Sequence, residues 1–359
     1  MNLDFFRGKR VFITGHTGFK GSWLCRILAN AGAEVTGYAL EPDVQPALYP
    51  LSGLSGRIRS RIGDVRDYAQ LKAAFDESSP EIVFHLAAQP LVRESYRNPR
   101  DTYETNVMGT VNLLECVRIG AAGISPRSVV NITTDKVYIN REWVWGYRED
   151  EPLDGFDPYS NSKSCSELAT HSYRNSFFAD NRVRISTARA GNVIGGGDFS
   201  RDRIIPDCVR AALKKAPVIV RNPASTRPYQ HVLEPLFAYL MIAQEQYNEE
   251  AYAGYYNVGP DDCDCVTTGE LAELFCQSWG EGQRWESGCG NGPHEAGFLK
   301  LDCSRIKRKF GWRPRWDVKT AVQKTVEWFK IYRDGGDAAG CMDRQISEYL
   351  SEGKKHAGS

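Results

Sequence analysis

The sequence has 359 residues, of which 42% are hydrophobic and 25% are charged. This composition is typical of a globular protein with one large core or two joined cores, and it excludes disordered and fibrous proteins. Lys and Arg number 45, and Asp and Glu also number 45. The chain therefore has no net charge that would attract nucleic acid or an anionic membrane, and we expect neither as a partner.

The lengths of the apolar runs and the spacing of the cysteines indicate the cellular compartment. No apolar run in the sequence reaches the roughly 20 residues that span a bilayer, so we expect a cytoplasmic protein. The 10 cysteines are scattered without a C-x-x-C pair, which favours reduced structural thiols over a zinc or redox site. We expect no metal.

The first two-thirds of the chain alternate short apolar runs with longer helical patterns. This order predicts an α/β fold with a doubly wound parallel sheet of the Rossmann type. The predicted strands are Arg10–Thr14, Glu34–Tyr38, Ile58–Gly63, Ile82–Leu86, Ser128–Thr133 and Arg184–Ala188. The predicted helices between them are Gly21–Ala31, Asp67–Glu77, Asn106–Ile119 and Tyr159–Asp180.

After Ala190 the sequence becomes punctuated by Gly and Pro, which predicts a smaller C-terminal substrate-binding lobe. Its predicted strands are Val218–Arg221 and Tyr255–Val258, and its predicted helices lie near 205–214, 231–245, 268–279 and 317–333. We expect a dinucleotide-binding domain over 1–190, with elements of about 228–260 returning to it. Segments 191–227 and 261–350 would form the second lobe.

Residues 11–21, VFITGHTGFKG, lead from an apolar strand through Gly15, Gly18 and Gly21 into an apolar helix. Glycines at this spacing allow a tight turn and a close approach of the backbone to a pyrophosphate at the helix N-terminus. A purely structural turn is the alternative, but the flanking strand and helix favour a dinucleotide. The expected cofactor contacts are Gly15, Thr17, Gly18, Phe19, Gly21, Asp64, Val65, Leu86, Ala87, Ala88, Tyr159 and Lys163.

The end of the second predicted strand bears on the choice of cofactor. Ala39 stands where an acidic residue commonly binds the adenosine ribose, and no Arg is present to accept a 2′-phosphate. This predicts NAD rather than NADP, with looser adenosine binding. Asp64, after the third strand, is placed to bind the adenine amino group; its alternative role is a helix N-cap.

Tyr159 and Lys163 are four residues apart on a predicted helix and therefore project from one face. An ammonium beside a phenol would lower the pKa of the phenol from about 10 and could also reach a nicotinamide ribose. An exposed lysine on an amphipathic helix is the alternative. Together with the glycine motif, the spacing predicts a catalytic pair.

Three polar residues, Thr134, Asp135 and Lys136, follow the fifth predicted strand. In doubly wound folds the chemistry lies at this carboxyl edge of the sheet. Thr134 can hydrogen-bond a substrate oxygen, and Asp135 with Lys136 supplies the additional acid and base that an elimination of water needs. A surface turn with a charge pair is the alternative.

The motifs GHTGFKG, HLAAQP, TNVMGT, TTDKVY, WGYRE, DPYSNSK, ARAGNVIGGGD, IIPD and RPYQHVLEP extend the pattern. Together they resemble the nucleotide-sugar 4,6-dehydratases of the extended short-chain dehydrogenase/reductase superfamily, from about Lys9 to at least Trp316. Lys136 makes the resemblance closest to members that act on CDP-glucose, because those acting on dTDP-glucose or GDP-mannose typically carry Glu there.

The resemblance implies an NAD-dependent lyase with an internal redox cycle. Tyr159 would take the O4 proton while hydride leaves C4, Asp135 would protonate the departing C6 hydroxyl, and the hydride would return to C6. A base near Lys136 would remove the C5 proton. Because an ammonium with a pKa near 10.4 is a poor base, Lys136 must be desolvated, act through water, or stabilise the enolate.

For the substrate lobe, the resemblance implies sugar-diphosphate contacts at Asn192 and over Arg201 to Pro206. It also implies phosphate or nucleotide contacts at Arg227 and Asn257, although a surface ion pair is the alternative for Arg227. It implies a homodimer or higher homo-oligomer through the helices at 106–119 and 159–180.

Three other functions are open to comparison. A nucleotide-sugar C4 epimerase would share the glycine motif and the Tyr159–Lys163 pair, but it has no need of Asp135 and Lys136. A dinucleotide-sensing protein without activity would not need the pair at all. A nucleic-acid-binding protein would need a basic stripe, which the sequence lacks.

Overall fold

The computed structural model describes residues 2–42, 44–121, 126–178, 182–288 and 297–356. Its strands, in chain order, are β1 (Arg10–Thr14), β2 (Glu34–Ala39), β3 (Arg59–Ile62), β4 (Ile82–His85), β5 (Ser128–Thr133), β6 (Arg184–Arg189), β7 (Val193–Ile194), β8 (Val218–Val220), β9 (Thr226–Arg227), β10 (Gln230–His231), β11 (Tyr255–Asn257), β12 (Val266–Thr267) and β13 (Trp285–Ser287).

The α-helices, in the same order, are α1 (Phe19–Asn30), α2 (Leu48–Leu51), α3 (Tyr68–Ser78), α4 (Val92–Arg97), α5 (Pro99–Tyr103), α6 (Gly109–Ile119), α7 (Pro158–Phe177), α8 (Ile204–Leu213), α9 (Leu233–Asn248), α10 (Thr268–Trp279), α11 (Ser304–Phe310), α12 (Val318–Arg333) and α13 (Ala338–His356). Within the described ranges, no helix is long and apolar enough to cross a membrane.

A seven-stranded sheet in the order β11-β6-β5-β4-β1-β2-β3 forms the centre of the molecule. Every neighbouring pair in it is parallel, so the predicted doubly wound sheet is confirmed. Strand β1 lies between β2 and β4, and the strand order runs outward in opposite directions from it. The carboxyl end of β1 is therefore the switch point at which such folds bind ligands.

The sheet is covered on both faces, which explains why its inner strands are apolar throughout. Phe12 packs in one core with Phe75 and Leu113, whereas its neighbours Val11 and Ile13 belong to the other core. This period of two fixes which side chains reach each layer. The second core continues into the C-terminal helices, so the two parts of the chain share one apolar interior.

Several element boundaries differ from the predicted ones. The predicted helix at Asn106 begins at Gly109, because Glu104–Met108 forms a π-helical turn. Asp67, rather than Asp64, caps α3 by accepting a hydrogen bond from the Gln70 amide. Helix α7 ends at Phe177, and the predicted end at Asp180 lies outside the described residues.

The C-terminal helix α13 was not predicted from the sequence. The Arg26 guanidinium on α1 donates to both carboxylate oxygens of Asp343 on α13, at 2.8 and 2.5 Å. The nine cysteines in the described part of the chain are free, and Cys289 lies outside it.

Candidate active site

Two cavities lie at the carboxyl ends of the strands and share Lys20, Tyr159 and Arg203 in their walls. The glycine-loop cavity has a volume of about 580 Å³, and all twelve predicted cofactor contacts line it. The second, of about 680 Å³, is lined by Arg93, Arg221 and Arg227 among others and is called the arginine cavity below.

The glycine loop has a shape that side chains would destroy. Gly15 has a φ of +78°, a conformation in which L side chains are strained. A Cβ on Gly21 would lie 2.0 Å from the Gly15 carbonyl oxygen. Helix α1 follows with Gly18 as its N-cap. The loop thus brings bare backbone and a helix N-terminus to the cavity, as phosphate binding requires.

Asp64 lines the glycine-loop cavity, but its carboxylate is already engaged. It accepts hydrogen bonds from the Arg66 backbone amide at 2.9 Å and from Arg66 Nε at 2.8 Å. Although burial opposes the effect, these bonds hold the pKa of Asp64 below its ordinary value. An adenine amino group would have to share this carboxylate with Arg66.

Tyr159 and Lys163 lie in the first two turns of α7, and both face the glycine-loop cavity. Burial raises the pKa of Tyr159 to about 12, and a hydrogen bond with Thr134 acts in the opposite direction. Burial lowers the pKa of Lys163 to about 8, and its Nζ donates to the Ile132 carbonyl at 3.1 Å. The predicted lowering of the phenol pKa is therefore wrong for this structure, because desolvation of the phenolate outweighs the favourable contacts.

Asp135 is fully buried behind the wall of the arginine cavity, and its two carboxylate oxygens have separate partners. Oδ1 accepts from the Thr134 hydroxyl at 2.9 Å and pairs with Lys136 Nζ at 3.5 Å. Oδ2 accepts from Asn192 Nδ2 at 3.0 Å. The carboxyl packs so closely on Gly191 that a Cβ there would lie 2.0 Å from Asp135 Cγ. Thr134, Lys136 and Asn192 line the cavity itself.

The structure separates the three other predicted substrate residues. Arg227 lines the arginine cavity, as does Asn192, whereas Arg201 lines the glycine-loop cavity instead. Asn257 lines neither cavity. Its side chain is fully buried and bonds to the Tyr138 hydroxyl and the Tyr147 carbonyl. The predicted substrate contact of Asn257 is therefore wrong, because this side chain is a structural linker.

Two cationic residues at the junction of the cavities are absent from the predicted site. Lys20 lies in the glycine motif on the first turn of α1, and burial, together with Arg203, lowers its pKa to about 7. Arg203 precedes α8 and pairs with Asp198 at 3.0 Å. The sequence did offer a signal for Lys20, because it is a long charged side chain inside a glycine-rich phosphate loop. Arg203 lay within the stretch named above but was not singled out.

A buried network lies one helical turn beyond Lys163. Glu167 accepts hydrogen bonds from the hydroxyls of Thr133 and Thr187, at 2.5 and 2.7 Å, and from Arg189 at 2.9 Å. His171 is 3.2 Å away. Although burial opposes it, Arg189 and these hydrogen bonds lower the pKa of Glu167 to about 2. The network ties the end of β5, next to Thr134, to β6 and α7.

Comparison with known proteins assigns the family. Residues 12–325 match the family model described as GDP-mannose 4,6 dehydratase. The chain belongs to this family. Among individual relatives, the chain is 50% identical to the CDP-glucose 4,6-dehydratase of Salmonella typhimurium over 358 residues. The alignment covers 98% of this chain and 99% of that protein.

Solved structures support the fold of this dehydratase family member. The UDP-glucose 4-epimerase of Thermotoga maritima, solved with UDP-glucose, superimposes with a TM-score of 0.78 at 20% identity, over 90% of this chain and 99% of that one. The dTDP-glucose 4,6-dehydratase of Streptomyces venezuelae, solved with NAD bound, has a TM-score of 0.77 at 23% identity, over 92% and 99% of the two chains. These likenesses confirm the predicted α/β fold of the Rossmann type.

Proposed function

We propose that the chain is a CDP-glucose 4,6-dehydratase, a lyase that uses NAD to convert CDP-D-glucose to CDP-4-keto-6-deoxy-D-glucose. The observation that carries the proposal is that two acid/base pairs lie around one junction: Tyr159 with Lys163 on the glycine-loop cavity, and Lys136 on the arginine cavity with its partner Asp135 buried directly behind the wall. Tyr159 with Lys163 suits oxidation, whereas Asp135 with Lys136 is surplus to oxidation and suits elimination. The 50% identity to a curated enzyme of this activity supports the choice of substrate.

The glycine-loop cavity fits NAD. The space that a Cβ would fill at Gly15 and Gly21 is occupied by backbone, and the residues that would hold the cofactor line one continuous wall. NAD held by these residues would supply the hydride acceptor for oxidation at C4 and the hydride donor for reduction at C6. With Ala39 in place of an acid, we expect purified protein to need added NAD for full activity.

The side chains then divide the proton transfers. Tyr159 Oη takes the proton from the sugar O4 in its phenolate form, which contact with Thr134 and the charge of Arg203 favour against the effect of burial. After oxidation the C5 proton is acidic, and it is removed by Lys136 in its neutral form or through a water, or by another base while Lys136 stabilises the enolate. Asp135, protonated at this step, gives its proton to the C6 hydroxyl, which leaves as water. When the hydride adds to C6, C5 takes back a proton from the base that had removed one. The proton held by Tyr159 replaces the one lost by Asp135 through exchange with water, and the net change is the loss of one water.

The second candidate is a nucleotide-sugar C4 epimerase, which Tyr159 and Lys163 alone would serve. A third, an inactive dinucleotide sensor, gives no reason to keep both acid/base pairs.

One experiment distinguishes the three functions. The protein is incubated with NAD and separately with CDP-glucose, dTDP-glucose, GDP-mannose and UDP-glucose, and product masses are read. We expect the loss of one water from CDP-glucose alone. Unchanged mass with altered configuration would mean an epimerase, and no reaction would favour the sensor.

We also propose a cytoplasmic homodimer or higher homo-oligomer that takes a nucleotide-sugar substrate. Helices α6 and α7 support it through exposed apolar side chains, since Ile119, Leu168 and Phe177 are 45%, 53% and 52% exposed. Light scattering on the eluted peak of a gel-filtration run tests this, because a monomer mass would contradict it.

A further inference from the structure

Arg93 extends from the first lobe into the arginine cavity. It is the second residue of α4, which follows β4, and its side chain is 22% exposed. Its Nε is buried and has no hydrogen-bond partner within the described ranges. Its Nη1 lies 3.8 Å from Asp202 Oδ1, a distance that permits an ion pair but not a hydrogen bond. Because Nε is buried, the donors of this guanidinium that can face the cavity are those of its two Nη atoms.

A second arginine faces the same carboxylate from the other lobe. Arg221 Nη1 is 3.3 Å from Asp202 Oδ1, and Arg221 Nη2 is 3.7 Å from Asp207 Oδ2. Arg93, Asp202 and Arg221 all line the arginine cavity. Asp207 also pairs with Arg210, so three guanidiniums share two carboxylates here, and one positive charge is in excess at this part of the wall.

We propose that Arg93 is a substrate-binding residue that contacts the diphosphate of the nucleotide sugar, opposite Arg221. This rests on the proposed function and deepens it. The planar fork of a guanidinium matches phosphate oxygens in bidentate fashion. A diphosphate, rather than a neutral sugar hydroxyl, matches the excess charge. Asp202 holds the two guanidiniums near each other, so that the diphosphate is bound from both lobes at once.

The test measures binding by isothermal titration calorimetry, with CDP and cytidine as probes. Arg93→Gln should weaken CDP binding roughly tenfold to a hundredfold, as expected for loss of one charge-assisted contact. Binding of cytidine, which has no phosphate, should not change. Arg93→Lys should keep part of the CDP affinity. The control, Arg100→Gln, alters an exposed arginine on the neighbouring α5 that pairs with Glu104 and should bind CDP as the unaltered chain does.

The other possible binding results each contradict one specific part of the proposal. If Arg93→Gln binds CDP normally but has a raised KM for CDP-glucose, Arg93 contacts the sugar and the diphosphate assignment is wrong. If the variant loses CDP and cytidine equally, Arg93 only supports the shape of the cavity, and the proposal is overturned. If the unaltered chain binds neither probe but binds another nucleoside diphosphate, the proposed substrate fails, and the same series with that nucleotide decides the role of Arg93.

Discussion

Lys163 and Glu167 occupy the same face of α7, one turn apart, and both are buried. Glu167 has partners on every side, including the Arg189 guanidinium, and its pKa is lowered to about 2. Lys163 has one carbonyl partner, Ile132, and burial lowers its pKa to about 8. The Glu167 carboxylate therefore keeps its charge in the interior, whereas burial brings the pKa of the Lys163 ammonium down towards neutral pH.

The difference separates charges that build the fold from charges that serve the site. A buried ion is stable when hydrogen bonds and an opposite charge replace its water, and it costs stability when they do not. Lys20 faces both cavities and Lys163 faces the glycine-loop cavity, in space that substrate and cofactor would occupy. The site thus retains unmet charge that ligands can meet.

The largest effect is expected at the phenol. Tyr159→Phe removes the group that takes the O4 proton and should lower kcat by about 10³-fold or more. The midpoint of thermal unfolding should change little, because Phe fills the same space. Steady-state assays with CDP-glucose and calorimetry measure the two quantities. Turnover close to that of the unaltered enzyme would remove Tyr159 from the mechanism.

Asp135→Asn should impair elimination more than oxidation, because an amide keeps the shape but cannot supply the proton. Turnover should fall by about 10²-fold. Oxidation would continue, so absorbance at 340 nm from reduced cofactor should build up during a single turnover. If both half-reactions fall equally, Asp135 does not act as the acid for the C6 hydroxyl.

The variant Glu167→Gln tests whether the buried Glu167–Arg189 ion pair stabilises the fold. It leaves the Arg189 charge buried without its counter-ion and should lower the free energy of unfolding by about 3–5 kcal/mol. Urea unfolding curves measure the loss. Glu77→Gln is the matched control, since Glu77 pairs with Arg61 on the surface and should leave stability unchanged. Equal losses in the two variants would contradict the distinction between buried and surface pairs.

The variant Lys20→Met tests the effect of a buried ammonium at the site. It removes a charge that burial destabilises, so it should raise the free energy of unfolding by about 1 kcal/mol near pH 6. Because the pKa of Lys20 is lowered from 10.5 to about 7, the folded chain binds fewer protons than the unfolded chain between these values. The stability of the unaltered protein therefore rises with pH in this window, and the advantage of the variant should shrink from pH 7 towards 10. The exposed Lys319→Met control should show no such trend. A constant difference across this range would contradict the lowered pKa of Lys20.

The glycine loop and the strand ends could be predicted because their signals are local. Gly15 and Gly21 follow an apolar strand directly, and Thr134 to Lys136 end another. Asn257 was wrong because β11 pairs with β6 and buries that amide under the residues around Tyr138. That position depends on contacts between distant parts of the chain. The pKa of Tyr159 likewise depends on burial, which a four-residue spacing does not reveal.

The most direct test follows one atom through the proposed reaction. CDP-glucose carrying deuterium at C4 is converted with catalytic NAD, and the product is examined by mass spectrometry and proton NMR. The account predicts a product lighter by one water in which the deuterium has moved from C4 to the C6 methyl group. Deuterium still at C4 in a sugar of unchanged composition and inverted configuration would contradict the account.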